Sequence, residues 1–414
     1  MKNLNSDKPY IEKGGILFGT KKDRYYINGS DTHTLVIGAT RSGKSRSIVL
    51  PTIGIEGLAG ENMVVSDPKG ELHQYTYPFL EALGYNVFVL DFKNPDRSDH
   101  FNFLQEVIDA INDDNIPLAQ KKALDITEAL VGNDTSSEKI WSEGEKSIMA
   151  ACILAVVYDN RKHPEYQNLT NVYHFINNMC EMSDNPPLKR YIDTIEALNP
   201  NHPALALISA TKVAPSKTQG SFNISALATL RLFADINVYN LTKSNSFKIE
   251  DLNDQKTAIF IILPDYNTTY YGVASLFVDQ IYTKLADVAD LQGGRLKRRV
   301  NFILDEFGNF AVIPDFATKL TVAGGRGIRF NLFLQSTAQL ESDSKKVKYG
   351  KEGARTIVGN CEYWIFLSSD LDTRKMISEE IGDYTTMSNS ESNSYNGTRL
   401  FDMTGANISA SRNL

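Results

Sequence analysis

The chain has 414 residues, of which 42% are hydrophobic and 22% are charged. This composition is that of an ordinary globular protein, and the length predicts about two domains. The formal net charge of −7 excludes a protein that coats nucleic acid over its whole surface, since such proteins are basic. Any contact with DNA must therefore be local.

Cysteine usage and hydropathy further limit the kind of protein that this sequence can encode. The three cysteines, Cys152, Cys180 and Cys361, lie far apart and form no CxxC pair. This pattern argues against a zinc site or a disulfide framework and suits a reducing cytoplasm. The longest apolar run, 148–158, is shorter than the roughly 20 residues that span a bilayer. It predicts a buried helix, and the polar start of the chain shows no signal peptide, so we expect a soluble chain.

Seven short runs rich in apolar and β-branched residues predict strands. They are 34–38, 62–66, 86–90, 257–263, 301–304, 330–334 and 363–367. Most are continuously apolar, which is typical of strands buried on both faces of a parallel sheet. Helical stretches such as 71–83 and 271–289 fall between them, so the fold class is predicted to be α/β with a mainly parallel sheet.

The strand signal disappears between about residues 105 and 217. Helical patterns separated by proline and asparagine breakers take its place, which indicates an inserted all-α domain. The predicted organisation is thus a discontinuous nucleotide-binding domain, 1–104 and 218–414, interrupted by an all-α domain, 105–217. The tail 385–414 is rich in Ser, Asn, Thr and Gly and is interpreted as either mobile or weak edge strands.

A phosphate-binding loop follows the first apolar run. Residues 38–45 match G-x-x-x-x-G-K-[ST] in full, between a predicted strand and a predicted helix. Glycines let consecutive N–H groups point at a phosphate, and the helix adds the positive end of its dipole. The residues predicted to bind nucleotide are Thr40, Arg41, Ser42, Gly43, Lys44, Ser45 and Arg46. Among them Lys44 reaches the β- and γ-phosphates and Ser45 binds Mg²⁺, whereas the alternative is a plain Gly/Ser turn.

Two later strand ends carry polar residues suited to hydrolysis. The run 301–304 ends in Asp305 and Glu306, where ligands bind in a parallel sheet. Asp305 is predicted to hold Mg²⁺ beside Ser45, and Glu306 to orient or deprotonate the attacking water. Gln335 ends the run 330–334 and is predicted to sense the γ-phosphate or the water. The alternatives are an acidic turn and a capping glutamine.

Arg326 is the first candidate for an arginine that acts on a neighbouring subunit's phosphate. It lies on the Gly-rich connection 323–327, and the alternative is a solvated or salt-bridged side chain. Arg231, Arg329 and Arg374 are weaker candidates. The basic runs 295–299 and 345–348 are candidates for a DNA path, although solvated loops explain them as well.

These motifs together resemble the type IV secretion coupling proteins, the TraG/TraD-like ATPases of bacterial conjugation. The resemblance covers about 34–104 and 225–384. It is carried by the phosphate loop continuing to Thr52, the string Asp67-Pro68-Lys69-Gly70-Glu71-Leu72, Gly84-Tyr85, residues 87–91, Asn94-Pro95, Asp305-Glu306-Phe307-Gly308 and Gln335-Ser336.

The resemblance implies a RecA-like P-loop NTPase core with an all-α domain and with ATP and Mg²⁺ as cofactors. It implies a homo-hexameric ring with ATP sites between subunits, and it supports Arg326 as the trans arginine. The implied partners are single-stranded DNA, relaxase or relaxosome proteins, and type IV secretion channel proteins. The implied location is the cytoplasmic side of the bacterial membrane. Family members usually begin with two transmembrane helices, which this sequence lacks. We therefore expect a soluble part without the membrane anchor, and the alternative is a naturally anchorless form. For such a chain, a monomer is the alternative to the hexamer.

Two other functions remain open on the sequence. One is a double-stranded DNA translocase like FtsK or HerA, which the string 67–72 and the helical insertion argue against. The other is a nucleotide-binding adaptor that docks substrates with little turnover, which the presence of Lys44, Asp305 and Glu306 argues against.

Overall fold

The computed structural model describes residues 9–22, 24–132, 139–180, 186–212, 214–264, 268–343, 346–382, 388–393 and 408–413. The chain divides into two units, 1–369 and 370–414. The larger unit contains all the candidate site residues except Arg374, a weaker candidate for the trans arginine.

Helices and strands alternate through much of this unit. The strands of the chain are β1 (Ile16–Lys21), β2 (Arg24–Asn28), β3 (His33–Gly38), β4 (Asn62–Asp67), β5 (Asn86–Asp91), β6 (Thr257–Ile262), β7 (Val300–Leu304), β8 (Ile328–Leu334), β9 (Ser342–Asp343), β10 (Lys346–Val347), β11 (Cys361–Ser368), β12 (Ser388–Asn393) and β13 (Ile408–Asn413). The α-helices are α1 (Leu50–Ala59), α2 (Glu71–Ala82), α3 (Gln105–Asn112), α4 (Ile116–Val131), α5 (Lys139–Asp159), α6 (Leu169–Met179), α7 (Pro187–Leu198), α8 (Leu205–Lys212), α9 (Ser216–Leu230), α10 (Ile236–Thr242), α11 (Asp251–Asp254), α12 (Tyr271–Leu291), α13 (Phe316–Ala323), α14 (Ala338–Glu341), α15 (Gly350–Gly359) and α16 (Leu371–Ile381).

Seven of these strands form one sheet in the order β11-β3-β8-β7-β4-β6-β5. Every neighbouring pair is parallel, and the seven strands are the seven predicted from apolar runs. The prediction of an α/β fold with a mainly parallel sheet is therefore confirmed. Because the strands are parallel, β3, β4, β7 and β8 all end at one edge, which we call the C-terminal edge. The edge at which they begin is the N-terminal edge.

Helices cover both faces of the sheet, which explains why the strand sequences do not alternate. On one face α1 and α2 pack over a core that includes Val36, Val65 and Phe333. On the other face, Phe302 and Phe330 stack with ring centroids 4.6 Å apart, and Phe316 of α13 meets Phe330 edge-on at 5.3 Å. The sheet is thus fixed between two apolar layers.

The described residues between β5 and β6 contain helices and no strand. α5 lies at their centre, contacting α4, α6, α8 and α9, and residues 148–157 are buried all round. The predicted buried helix over 148–158 is confirmed. α9 begins at Ser216 and packs on α5 and α6, across the predicted domain limit at 217. The domain limits themselves remain a prediction.

A buried polar network lies at the N-terminal edge. The guanidinium of Arg329, at the start of β8, is 1% exposed and donates to Asn301 at 2.8 Å, to Glu56 at 3.1 Å and to Glu61 at 3.3 Å. The same guanidinium also donates to the backbone carbonyls of Asn28 and Ser30, both at 3.1 Å. This network joins β7 and β8 to α1, to the residue before β4, and to the end of β2 with the loop that follows it.

The smaller unit contains α16 and the antiparallel pair β12–β13. The predicted tail, 385–414, is strand at 388–393 and 408–413, whereas its residues 385–387, 394–407 and Leu414 lie outside the described residues. In the part of the chain that the structure describes, none of the helices has the length and apolarity that crossing a membrane requires.

Candidate nucleotide site

The predicted phosphate loop leaves the C-terminal edge at Gly38 and enters a π-helical turn, Ser45–Val49, that runs into α1. Gly43 has φ +89, a left-handed conformation that favours glycine. A Cβ atom on Gly38 would lie 2.5 Å from Ser42 Oγ and 2.9 Å from Lys44 Cγ. Glycine at position 38 therefore lets the loop close on itself.

Inside the loop, the side chains of Lys44 and Ser42 have few hydrogen-bond partners. Lys44 is buried, and its ammonium donates a hydrogen bond to the Gly38 carbonyl. Ser42 Oγ is buried without a hydrogen-bond partner. Buried polar atoms are normally paired, so an orphaned hydroxyl beside an ammonium group fits a loop that receives an anion. Thr40 and Arg41 are exposed at the rim.

The structure brings the loop and the acidic strand end together. Ser45 Oγ donates a hydrogen bond to Asp305 Oδ2 at 2.9 Å, and Ser66 Oγ donates to the Asp305 carbonyl at 2.7 Å. Burial raises the pKa of the Asp305 carboxyl to about 6, against the lowering effect of the Ser45 hydrogen bond. A hydroxyl and a carboxylate held this close are an oxygen donor set of the kind that Mg²⁺ prefers.

Glu306 and Gln335 are brought together as well. Glu306 has φ 54 and is the second residue after β7, and Gln335 Nε2 donates to its Oε2 at 2.9 Å. Gln335 is fixed in turn, because its N–H donates to Gln339 Oε1 at 2.9 Å and its carbonyl accepts from Ser369 Oγ at 2.7 Å. The carboxylate that could serve as a base is thus oriented by an amide from the neighbouring strand.

Arg326 does not join this group within the subunit. It precedes β8 and so lies at the N-terminal edge, whereas Gln335 follows β8. Seven strand residues at about 3.3 Å each separate the two by roughly 20 Å. The guanidinium instead forms a two-point ion pair with Asp290, at 3.1 and 3.2 Å. Arg329, a weaker candidate, is enclosed by the buried network.

The remaining predicted residues are Arg46 and those of the two basic runs, 295–299 and 345–348. Arg46 is exposed on the π-helical turn and lines a shallow groove between α1 and α2 with Leu50 and Tyr75. In the basic run 295–299, Arg295 and Arg299 both pair with Asp31. In the other basic run, Lys345 lies outside the described residues, and Lys348 donates to the Gly308 carbonyl.

Sequence reasoning missed two supporting side chains, Ser66 and Gln339. Ser66 precedes the last residue of β4, one strand from Asp305, and only the strand order reveals that it lies against Asp305. Gln339 lies four residues after Gln335, and that spacing on a helical turn was the available signal.

Residues 2–414 match the family model described as type IV secretory system conjugative DNA transfer. The chain is 25% identical to the protein VirD4 of Rhizobium rhizogenes over 407 residues, which is 94% of this chain and 54% of that protein. It is 24% identical to the conjugal transfer protein TraG of Escherichia coli, over 86% of this chain and 57% of that protein. The chain spans about half the length of these relatives.

Solved structures show the same fold. The bacterial conjugative coupling protein TrwBdeltaN70 matches with a TM-score of 0.65 at 18% identity, over 97% of this chain and 82% of that one. TrwB in complex with ADP and Mg²⁺ matches with a TM-score of 0.62 at 17% identity, over 92% and 78% of the two chains. The RecA-like core with a helical part is thereby confirmed. Since the family model covers nearly the whole sequence, the chain belongs to the family of type IV secretory system conjugative DNA-transfer proteins.

Proposed function

We propose that this chain hydrolyses ATP with Mg²⁺ and that hydrolysis drives single-stranded DNA, or proteins bound to it, into a type IV secretion channel. The hydrogen bond between Ser45 and Asp305 carries the proposal, because it joins the phosphate loop and the acidic strand end into one site. The family match and the names of the relatives support the transport role, and the TrwB complex with ADP and Mg²⁺ supports the cofactors.

Each residue has a task that its chemistry supports. The N–H groups of Thr40 to Arg46 and the ammonium of Lys44 hold the phosphates. Ser45 and Asp305 hold Mg²⁺, which neutralises charge on the phosphate oxygens when it is bound. Glu306 accepts the proton of the attacking water, and Gln335 keeps its carboxylate oriented through the hydrogen bond at 2.9 Å.

Arg326 completes the site from a neighbouring subunit. It lies too far from its own subunit's loop to reach the phosphates there, and its ion pair with Asp290 is partly exposed and can exchange for another anion. An arginine supplied in trans accelerates phosphoryl transfer by about 10³–10⁵-fold. The active form is then a homo-hexamer in which each interface holds one nucleotide.

The partners follow from the transport role. They are single-stranded DNA, relaxase or relaxosome proteins that mark it, and channel proteins that receive it. The proposed place of action is the cytoplasmic side of the bacterial membrane, next to that channel. The family match argues against a chromosome translocase of the FtsK or HerA type.

ATP turnover with and without single-stranded DNA tests the proposal. We expect DNA to raise turnover and Lys44→Ala to abolish it, while Lys189→Ala, an exposed lysine on α7, leaves it unchanged. Turnover that survives Lys44→Ala, or that DNA does not alter at any protein concentration, would refute the motor function. Tight nucleotide binding without turnover at any concentration would instead support a docking adaptor.

A further inference from the structure

The string 67–72 is singled out by the sequence, and the site above uses none of it. Asp67 ends β4, and its carboxylate accepts from the N–H of Gly70 at 2.8 Å and of His73 at 2.9 Å. Gly70 has φ +80, so a residue with a side chain would be strained there. The aspartate and the glycine therefore build the tight turn that starts α2.

Three more members of the string also have structural tasks. Pro68 is buried within the turn, and Leu72 is 3% exposed in the core beneath α2. Glu71 is the first residue of α2, where a negative charge interacts favourably with the helix dipole. Lys69 is different, because it is exposed and its side chain forms no hydrogen bond or ion pair with any residue that the structure describes.

The turn holds Lys69 close to the nucleotide site. β4 lies beside β7, with Ser66 opposite Leu304, so Asp67 and Asp305 are neighbours at the C-terminal edge. Adjacent strands are about 4.8 Å apart. The turn folds back on Asp67, which keeps Lys69 at this edge, one strand from the carboxylate that Ser45 contacts. A lysine side chain is long and flexible enough to extend over that distance.

We propose that Lys69 binds the terminal phosphate of the nucleotide held by the loop 38–45, so that the site distinguishes a triphosphate from a diphosphate. This inference rests on the proposed function. A lysine ammonium is a compact charge with three donors, which suits phosphate oxygens. Lys44 approaches the phosphates from the loop, and Lys69 approaches from the opposite side of the Ser45–Asp305 pair. The rigid turn fixes the backbone from which Lys69 extends and so lowers the entropy lost on binding.

The chain offers a matched control in Lys93. Asp91 ends β5, and its carboxylate accepts from the N–H of Lys93 at 2.8 Å and of Asn94 at 3.0 Å. Lys93 thus follows a strand-ending aspartate by two residues, as Lys69 does. β5 is three strands from β7, roughly 14 Å away, whereas β4 is one strand away.

The experiment measures the affinity of a non-hydrolysable ATP analogue and of ADP, each with Mg²⁺, by calorimetry on the full chain. We expect Lys69→Ala to weaken analogue binding by about tenfold to a hundredfold, as loss of a charged hydrogen bond does, and to change ADP binding less than about twofold. Lys69→Arg should recover part of the loss. Lys93→Ala should change neither affinity, and both alanine variants should unfold at the temperature of the unsubstituted chain.

Several results would overturn the assignment. They are unchanged analogue binding in Lys69→Ala, equal weakening of both nucleotides, the same loss in Lys93→Ala, or weakened binding of single-stranded DNA alone. The last result would assign Lys69 to the DNA. An unsubstituted chain that binds neither nucleotide would overturn the proposed function as well, which separates the two failures.

Discussion

The two edges of the sheet use similar residues in opposite ways. At the N-terminal edge, Arg329 is fully enclosed and donates to three side chains and two backbone carbonyls. At the C-terminal edge, the ammonium of Lys44 donates to one carbonyl, and the hydroxyl of Ser42 has no partner. The guanidinium at the N-terminal edge has all its hydrogen-bond donors used by the protein, whereas the lysine and the serine at the C-terminal edge have hydrogen-bonding capacity left for a ligand.

This difference distinguishes residues that hold the fold together from residues that can bind a ligand. A buried arginine whose donors are all used holds chain segments together, and removing it leaves buried polar groups without their partner. An unsaturated cluster at a loop and a helix start can exchange its few internal bonds for those of a ligand. Residue type alone does not reveal which role a lysine or an arginine has, whereas the count of its partners does.

The largest predicted effect lies at the N-terminal edge. Arg329→Met should lower the free energy of unfolding by about 3–5 kcal/mol, because it leaves the buried acceptors of Glu56, Asn301 and two backbone carbonyls without their donor. Denaturant titration measures this. The control is Arg295→Ala, whose partner Asp31 is also at this edge but whose side chain is 47% exposed, so the loss should stay within about 1 kcal/mol. Equal losses in the two variants would contradict the distinction between buried and exposed pairs.

At the C-terminal edge the predicted effect is on turnover and not on stability. Glu306→Gln should reduce ATP turnover by about a hundredfold or more, since an amide cannot accept the proton of the attacking water. Affinity for nucleotide and the temperature of unfolding should stay close to those of the unsubstituted chain. Preserved turnover in this variant would show that another group acts as the base.

The pH dependence of stability tests the N-terminal edge again. Burial raises the pKa of Glu56 to about 8 in the folded chain, from 4.5. The folded state therefore keeps a proton that the unfolded state releases, so the free energy of unfolding should fall as pH rises from about 4.5 to about 8. The slope from this group is at most about 1.4 kcal/mol per pH unit. Glu56→Gln should remove this contribution, and an unchanged slope in that variant would contradict the assignment.

The smallest predicted effect concerns the hydrogen bond that orients Glu306. Gln335→Ala should lower turnover by about tenfold, which corresponds to one hydrogen bond to a charged group. The effect should appear in kcat, with KM for ATP nearly unchanged. Gln335→Glu should lower turnover at least as much, because it places a second carboxylate beside Glu306. A change in KM alone would mean that Gln335 contacts the nucleotide in the ground state.

Much of this architecture could be predicted from the sequence. The seven strands were visible because strands buried on both faces need continuous apolar runs, as in β6, where every residue is buried. The phosphate loop and the acidic strand end were visible because their spacing is local. Their meeting through Ser45 and Asp305 follows from the parallel sheet, in which both strands end at one edge.

Contacts between distant segments could not be predicted. Arg329 donates to a carbonyl 301 residues earlier in the chain, and no pattern within β8 reveals that partner. The direction of Lys44, folded onto Gly38, likewise depends on how the loop closes. The position of Arg326 is instructive, because a residue that precedes a parallel strand lies at the edge opposite one that follows it. The predicted strand 330–334 was therefore enough to place Arg326 and Gln335 at opposite edges of the sheet.

The most direct test of this account measures specific ATP turnover against protein concentration, with and without single-stranded DNA. If the active sites are shared between subunits, specific turnover should rise steeply with protein concentration, because Arg326 must come from a neighbour. DNA should enhance this rise. Mixing Arg326→Ala subunits with Lys44→Ala subunits should then restore part of the turnover that each lacks alone. Specific turnover that is constant over concentration, indifferent to DNA and unaffected by Arg326→Ala would contradict the account.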